Sequence, residues 1–109
     1  LIPPCNAIIF IITGDLRLYQ NEYERNTLFV DGGIFLMNLL YALDSLGLVA
    51  CPLIWGSEPS DDKKLSEILN IKPHEKIVAW ISAGYCPGKA FKAAISSKRD
   101  LNTILRIIE

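Results

Sequence analysis

The chain has 109 residues, of which 50% are hydrophobic and 21% charged, and its formal net charge at pH 7 is −1. This length and composition predict a single domain with a real core, and the near-neutral charge argues against a surface that binds nucleic acid or an anionic membrane. The uncharged runs at 1–14, 32–43 and 45–57 are all shorter than the ~20 apolar residues that cross a bilayer, so we expect them to be core segments.

Cysteine and histidine usage limits the chemistry of the chain. Cys5, Cys51 and Cys86 are isolated, without a CxxC pair, so we predict neither a disulfide framework nor a zinc site, and a reducing cytoplasm suits them best. His74, the only histidine, follows a proline in a polar turn. We therefore expect an ordinary surface histidine and predict no metal ligand and no catalytic residue.

The first hydrophobic run is NAIIFIIT, residues 6–13, between a Pro-Pro pair and Gly14. A continuous isoleucine-rich run of this length is typical of a strand covered on both faces, so we predict a central strand. The polar segment GDLRLYQNEYERN follows without a clear period. Asp15 could cap a short helical turn there, and an extended surface connection fits equally well.

A long apolar helix is predicted next. Asp31 is a good N-cap, and Gly47 stands where a left-handed C-cap residue is expected. Apolar residues on nearly every face indicate that this helix is buried or lies in a subunit interface. Residues 48–55 then have the pattern of a strand or extended segment, which Pro52 confines to a sheet edge or a bulge. Gly56 permits close backbone approach by another group.

The second half contains a short helix, a strand and a basic tail. Ser60 is the expected N-cap of an amphipathic helix with Asp61 and Asp62 in its first turn. KIVAWISAGY is a second β-rich run, and residues 100–108 could form a last helix or an extended arm. The alternation of strands and helices predicts a mixed α/β or α+β layer structure. The apolar stripe of the short amphipathic helix consists of Leu65, Ile68 and Leu69. The basic residues of the tail are Lys89, Lys92, Lys98 and Arg99.

The order and spacing of these segments resemble the C-terminal half of the nitroreductase family of FMN-dependent NAD(P)H oxidoreductases. The matching segments are NAIIFIITGD, VDGGIFLMNLLYALDSLGL running into ACPLIWG, DDKKLSEILNI followed by KPHEKIVAWISAGY, and SSKR leading into DLNTIL. The resemblance covers most of the chain, from about residue 6 to residue 105, and implies an α+β fold with an antiparallel sheet flanked by helices. Residues 1–109 would be a single, partial domain, the C-terminal portion of a longer nitroreductase-like domain.

The resemblance also implies a function. The full-length protein would be a homodimer with FMN at its interface, taking hydride from NAD(P)H and reducing a nitro, quinone or similar small-molecule acceptor. The family's N-terminal stretch of Arg and Ser residues that contacts the flavin has no counterpart in this chain. The alternative is therefore a flavin-free dimerisation or scaffolding module with a degenerate nitroreductase-like fold.

Two groups of cofactor-binding residues follow from the resemblance. In the first, main-chain amides would lie beside the flavin ring, where hydrogen bonds tune its chemistry; the alternative for this segment is a buried edge strand. In the second, a basic pair would hold the FMN phosphate, with the guanidinium favoured because it can form two parallel bonds. The first group comprises Pro52, Leu53, Ile54, Trp55 and Gly56, and the second Lys98 and Arg99.

Overall fold

A computed structural model describes residues 7–53, 58–86, 88 and 95–108 of the chain. The described elements form an antiparallel three-stranded sheet with helices, as the predicted α+β class requires. In chain order they are β1 (Ile8–Asp15), two 3-10 turns (Leu16–Leu18 and Glu22–Glu24), α1 (Thr27–Ser45), β2 (Leu48–Leu53), α2 (Pro59–Leu69), β3 (Glu75–Tyr85) and α3 (Leu101–Ile104).

The order of strands is β1-β3-β2, so β3 is the central strand of the described sheet. The prediction that the first strand is central and covered on both faces was wrong: β1 lies at an edge, and Ile8 and Ile9 at its start are 61% and 56% exposed. The strand also continues through Gly14 to Asp15. The edge position predicted from Pro52 is confirmed, because β2 pairs with β3 on one side only among the described strands.

A bulge in β3 adapts the sheet to α1. Ile12 pairs with Ala79 but Thr13 pairs with Ile77, so Val78 is the extra residue. Consecutive residues of a regular strand point to opposite faces, yet both Val78 and Ala79 pack against the same core. The bulge thus turns a second side chain of β3 toward the helix.

The core lies between the sheet and α1. Ile12, Leu43, Ile81 and Ala83 form its buried cluster, and Ile81 is fully buried. Around this cluster of β1, α1 and β3 residues pack partly buried residues of the same three elements and of β2: Phe10, Leu36, Leu39, Leu40, Leu48, Ala50, Val78 and Ala79. The side chains that seal the core therefore come from one face of α1 and one face of the sheet.

Helix α1 begins earlier than predicted. Its N-cap position is Asn26 and its first residue Thr27, so Asp31 is inside the helix and is not its N-cap. Instead the Asp31 carboxylate accepts a hydrogen bond from the hydroxyl of Tyr19. The predicted end is confirmed: the helix stops at Ser45, and Gly47 has φ +75°, a conformation that glycine adopts without a steric penalty.

The connection before α1 resolves the alternative left open at Asp15. Its side chain accepts a hydrogen bond from the amide of Arg17 and caps the turn Leu16–Leu18. The guanidinium of Arg17 also contacts both carboxylate oxygens, at 3.0 Å from Nε to Oδ1 and 2.6 Å from Nη2 to Oδ2. These bonds lower the pKa of Asp15 to about 2.

Helix α2 differs from its prediction at both ends. Glu58 is the N-cap and Pro59 occupies the first turn, where its missing N–H is not needed, so Ser60 is helical rather than the cap. Asp61 and Asp62 do lie in the first turn, as predicted. The predicted apolar stripe fails at Ile68, which is 78% exposed.

Six large apolar side chains of α1 are between 45% and 65% exposed in the described structure. Val30, Ile34, Met37 and Tyr41 share the helix face away from the sheet, whereas Phe29 and Phe35 lie outside that face, Phe35 toward β1. By length and composition alone, the stretch Glu22–Ser45 is long and apolar enough to cross a membrane. This is weak evidence for a membrane span, because core helices of soluble proteins meet the same criterion. Because α1 packs its other face on the sheet, we interpret it as a core helix.

The last described segment runs from Ile95 to Ile108. Both alternatives for residues 100–108 are partly realised, since a four-residue helix, α3, is followed by non-helical chain that begins with Leu105 in an extended conformation. Every side chain from 95 to 108 is exposed among the described residues. This segment therefore adds little to the core described above.

Candidate functional site

A cleft of about 570 Å³ lies where β2 ends, at Leu53 opposite Trp80 of β3. Three elements build its walls around the first half of β3. Leu36 comes from α1, Pro52 and Leu53 from the end of β2, and Ser66 from α2. The tight turn at Gly47 connects the end of α1 directly to the start of β2, and both elements contribute residues to the cleft.

The cleft combines aliphatic walls with a few polar groups. Its polar side chains are partly held by local bonds: the hydroxyl of Ser66 donates to the carbonyl oxygen of Asp62 at 2.7 Å, and a carboxylate oxygen of Glu75 accepts the amide of Lys72 at 2.7 Å. Lys76 adds an exposed ammonium. Small-molecule sites typically have this composition and a volume of roughly 300–1,000 Å³.

The structure places two of the predicted cofactor residues on this cleft, namely Pro52 and Leu53. The other three of that segment, Ile54, Trp55 and Gly56, lie outside the described residues. Their assignment stays a prediction, although Leu53 brings the chain to the cleft immediately before them.

The predicted basic pair is not among the residues that line the cleft. Lys98 and Arg99 are exposed in the non-helical segment just before α3. Within the described part of the chain the structure does not bring this pair together with Pro52 and Leu53. The phosphate-binding role of Lys98 and Arg99 stays a prediction, and Lys89 and Lys92 lie outside the described residues.

Sequence reasoning missed the residues that other elements bring to the cleft. Leu36 is one of many apolar residues of the long predicted helix, and the place of Asp62 in a first turn accounts for its charge. Lys76 opens a β-rich run with no distinguishing motif. None of them carries a local signal, because only the packing of α1 and α2 beside β3 makes them neighbours.

Metal and disulfide chemistry find no support in the described structure. Across residues 7–53, 58–86, 88 and 95–108, no group of three or more His, Cys, Asp or Glu side chains could hold a metal ion. Cys51 and Cys86 are free thiols and exposed. The cleft itself offers main-chain groups, aliphatic surface and a few polar side chains.

The fold is that of an α+β protein with a cleft at the end of an edge strand. The profile of the Nitroreductase family matches residues 2–85, which is most of the chain. The chain belongs to the nitroreductase family.

A solved structure supports the same fold. The chain is similar to the nitroreductase CinD from Lactococcus lactis, determined in complex with nicotinic acid, with a TM-score of 0.61 and 20% sequence identity. The match covers 94% of this chain and 55% of CinD, so the chain spans about half the length of that relative. No curated protein matches the chain significantly.

Proposed function

We propose that the chain is part of an FMN-dependent NAD(P)H oxidoreductase that reduces a nitro, quinone or similar conjugated acceptor. Membership in the nitroreductase family supports an oxidoreductase. The observation that carries the proposal is the cleft lined by Pro52 and Leu53, because the family resemblance assigns this segment to the flavin ring. Nicotinic acid in the CinD complex is a pyridine ring with a carboxylate, which is consistent with flat aromatic ligands in this family.

The residues of the cleft fit a flat ring system. Leu36, Ile77 and Ala79 offer aliphatic surface, and the cleft has the volume of a small-molecule site. Pro52 fixes its own φ and stiffens the strand end. FMN, when bound, supplies hydride acceptance and electron transfer. This chain would supply main-chain amides after Leu53 to orient the ring edge.

The phosphate of FMN requires cationic partners outside the cleft. We propose Lys98 and Arg99, whose side chains are exposed and have no ion-pair partner among the described residues. Arg99→Ala should weaken FMN binding by about tenfold or more, the usual range for a lost charge-assisted bond. Arg25→Ala, at an exposed arginine next to the second 3-10 turn, is the matched control. Equal affinity of both variants would remove the phosphate assignment.

A homodimer is part of the proposal. Val30, Ile34, Met37 and Tyr41 form an exposed apolar face of α1 in the described structure, and a contiguous face of this kind commonly marks an interface. The chain also spans only about half of CinD, so a complete flavin site would draw on further protein surface. We propose the cytoplasm as the location, since no disulfide framework is predicted.

The alternative is a flavin-free dimerisation or scaffolding module. The exposed apolar face of α1 favours it as much as it favours an enzyme dimer. Titrating the purified protein with FMN separates the two, because flavin fluorescence and visible absorbance change on binding. Saturable binding, followed by bleaching of the bound flavin with NADH or NADPH in the absence of oxygen, supports the enzyme. A colourless protein that takes up no added FMN supports the module.

A further inference from the structure

A second cavity, of about 530 Å³, lies between β1 and the first half of α1. It is separate in its lining from the cleft described above, with which it shares no residue. Its walls are mainly apolar and include three aromatic side chains, Phe10, Tyr19 and Phe35, together with Ile12 and Leu28.

One polar pair belongs to this cavity. The hydroxyl of Tyr19 donates to Oδ2 of Asp31 at 2.6 Å, which ties the two segments flanking the cavity together and fixes the carboxylate. Within the described part of the chain, the carboxylate of Asp31 has no other hydrogen bond and no ion pair. Its second carboxylate oxygen is therefore available to a ligand.

The charge around Tyr19 is negative. The hydrogen bond to Asp31, partial burial and the charge of Asp31 raise the pKa of Tyr19, and the charge of Glu24 contributes least. The cations of the neighbouring turns are engaged elsewhere: Arg17 is paired with Asp15, and Arg25 donates to the carbonyl oxygen of Glu22. No described side chain neutralises Asp31.

We propose that this cavity binds a small aromatic or apolar ammonium, with the cationic group on the carboxylate of Asp31 and the ring among the aromatic walls. Asp31 is exposed at the rim of the cavity, where an ammonium can reach it from solvent. Carboxylates and aromatic faces both attract ammonium groups. Tyr19 acts as a positioning residue, because it holds the carboxylate without contacting the cation itself. The inference does not rest on flavin binding.

The test uses tryptamine as the cationic probe and indole-3-ethanol as its neutral analogue, titrated into the isotope-labelled protein by NMR. A ligand of this size should bind with a Kd of roughly 1–10 mM. Tryptamine should shift the amide signals of Gly14, Gly32 and Phe35, leave that of Ser66 unchanged, and bind several-fold more tightly than the alcohol. Added salt should reduce only the tryptamine affinity.

Variants locate the charge. Asp31→Asn should weaken tryptamine binding by about fivefold, the scale of a partly exposed ion pair, and leave indole-3-ethanol unaffected. Asp44→Asn, on the same helix but outside the cavity lining, should change neither. Equal affinity of the wild type for the two probes, shifts confined to other regions, or an unchanged Asp31→Asn variant would each overturn the proposal. The comparison of probes on the wild type decides the matter even where a variant does not fold.

Discussion

Replacing Gly32 with alanine tests how closely α1 approaches the sheet. A Cβ on Gly32 would lie 2.4 Å from Cγ1 of Val78, 3.0 Å from its Cγ2 and 3.1 Å from its Cβ. Val78 is β-branched and its χ1 has little freedom, so rotation cannot relieve all three contacts. Val78 also sits at the bulge of the central strand and packs against the core. The helix or the strand must therefore move.

The magnitude follows from two opposing effects. Overpacking a core costs about 1–3 kcal/mol, and a contact of 2.4 Å belongs in the upper half of that range. Alanine is better than glycine inside a helix by about 1 kcal/mol, so the net loss for Gly32→Ala is about 1–2 kcal/mol. Gly33 has no atom within 4 Å of its added Cβ. Gly33→Ala should therefore gain the higher helix propensity of alanine without a steric cost, and stabilise the protein by up to about 1 kcal/mol.

The assay is urea unfolding followed by circular dichroism, with melting temperature as a second measurement. A change of 1 kcal/mol corresponds to about 4–8 °C in Tm for a domain of this size. The two neighbouring substitutions should shift Tm in opposite directions. Val78→Ala combined with Gly32→Ala should show favourable coupling in a double-mutant cycle. A Gly32→Ala protein as stable as Gly33→Ala would refute the close approach.

Three further predictions concern single groups. Hydrogen bonds from Arg17 depress the pKa of Asp15 from 3.8 to about 2. Because the folded-state pKa is depressed, the stability that ionised Asp15 contributes is present above pH 3.8 and is lost as the pH falls toward 2. An NMR titration of Asp15 should therefore give a midpoint near 2, and Arg17→Ala should raise this midpoint. The hydrogen bond to Asp31 raises the pKa of Tyr19, so Asp31→Asn should lower the alkaline midpoint of tyrosinate absorbance. Ile81 is fully buried, and Ile81→Ala should reduce the free energy of unfolding by about 2–5 kcal/mol in the same urea assay.

Local patterns predicted the elements better than their arrangement. The predicted end of α1 near Gly47 and the predicted strand β3 are both confirmed. Both predictions depend on local properties, namely the helix-ending tendency of glycine and the β-propensity of the residues. The central strand was assigned to β1 instead of β3, since both are continuous apolar runs. Which of two such strands receives neighbours on both sides depends on contacts between segments far apart in the chain.

The candidate site shows the same limit. Pro52 and Leu53 were found through the order of several segments, not through a motif of their own. Asp31 was interpreted as a helix cap, because an acidic residue before an apolar run usually is one. Its role with Tyr19 depends on a turn that brings together residues twelve apart in sequence, which no helical period reveals.

The central claim is that the main chain following Pro52 lies beside a flavin ring. The most direct measurement is an FMN titration of the isotope-labelled protein, followed by amide NMR signals. FMN should shift the amide signals of Leu53, Ile54, Trp55 and Gly56, together with those of residues across the cleft. Saturable FMN binding that leaves these amides unmoved, or no binding to the longest native chain, would contradict it.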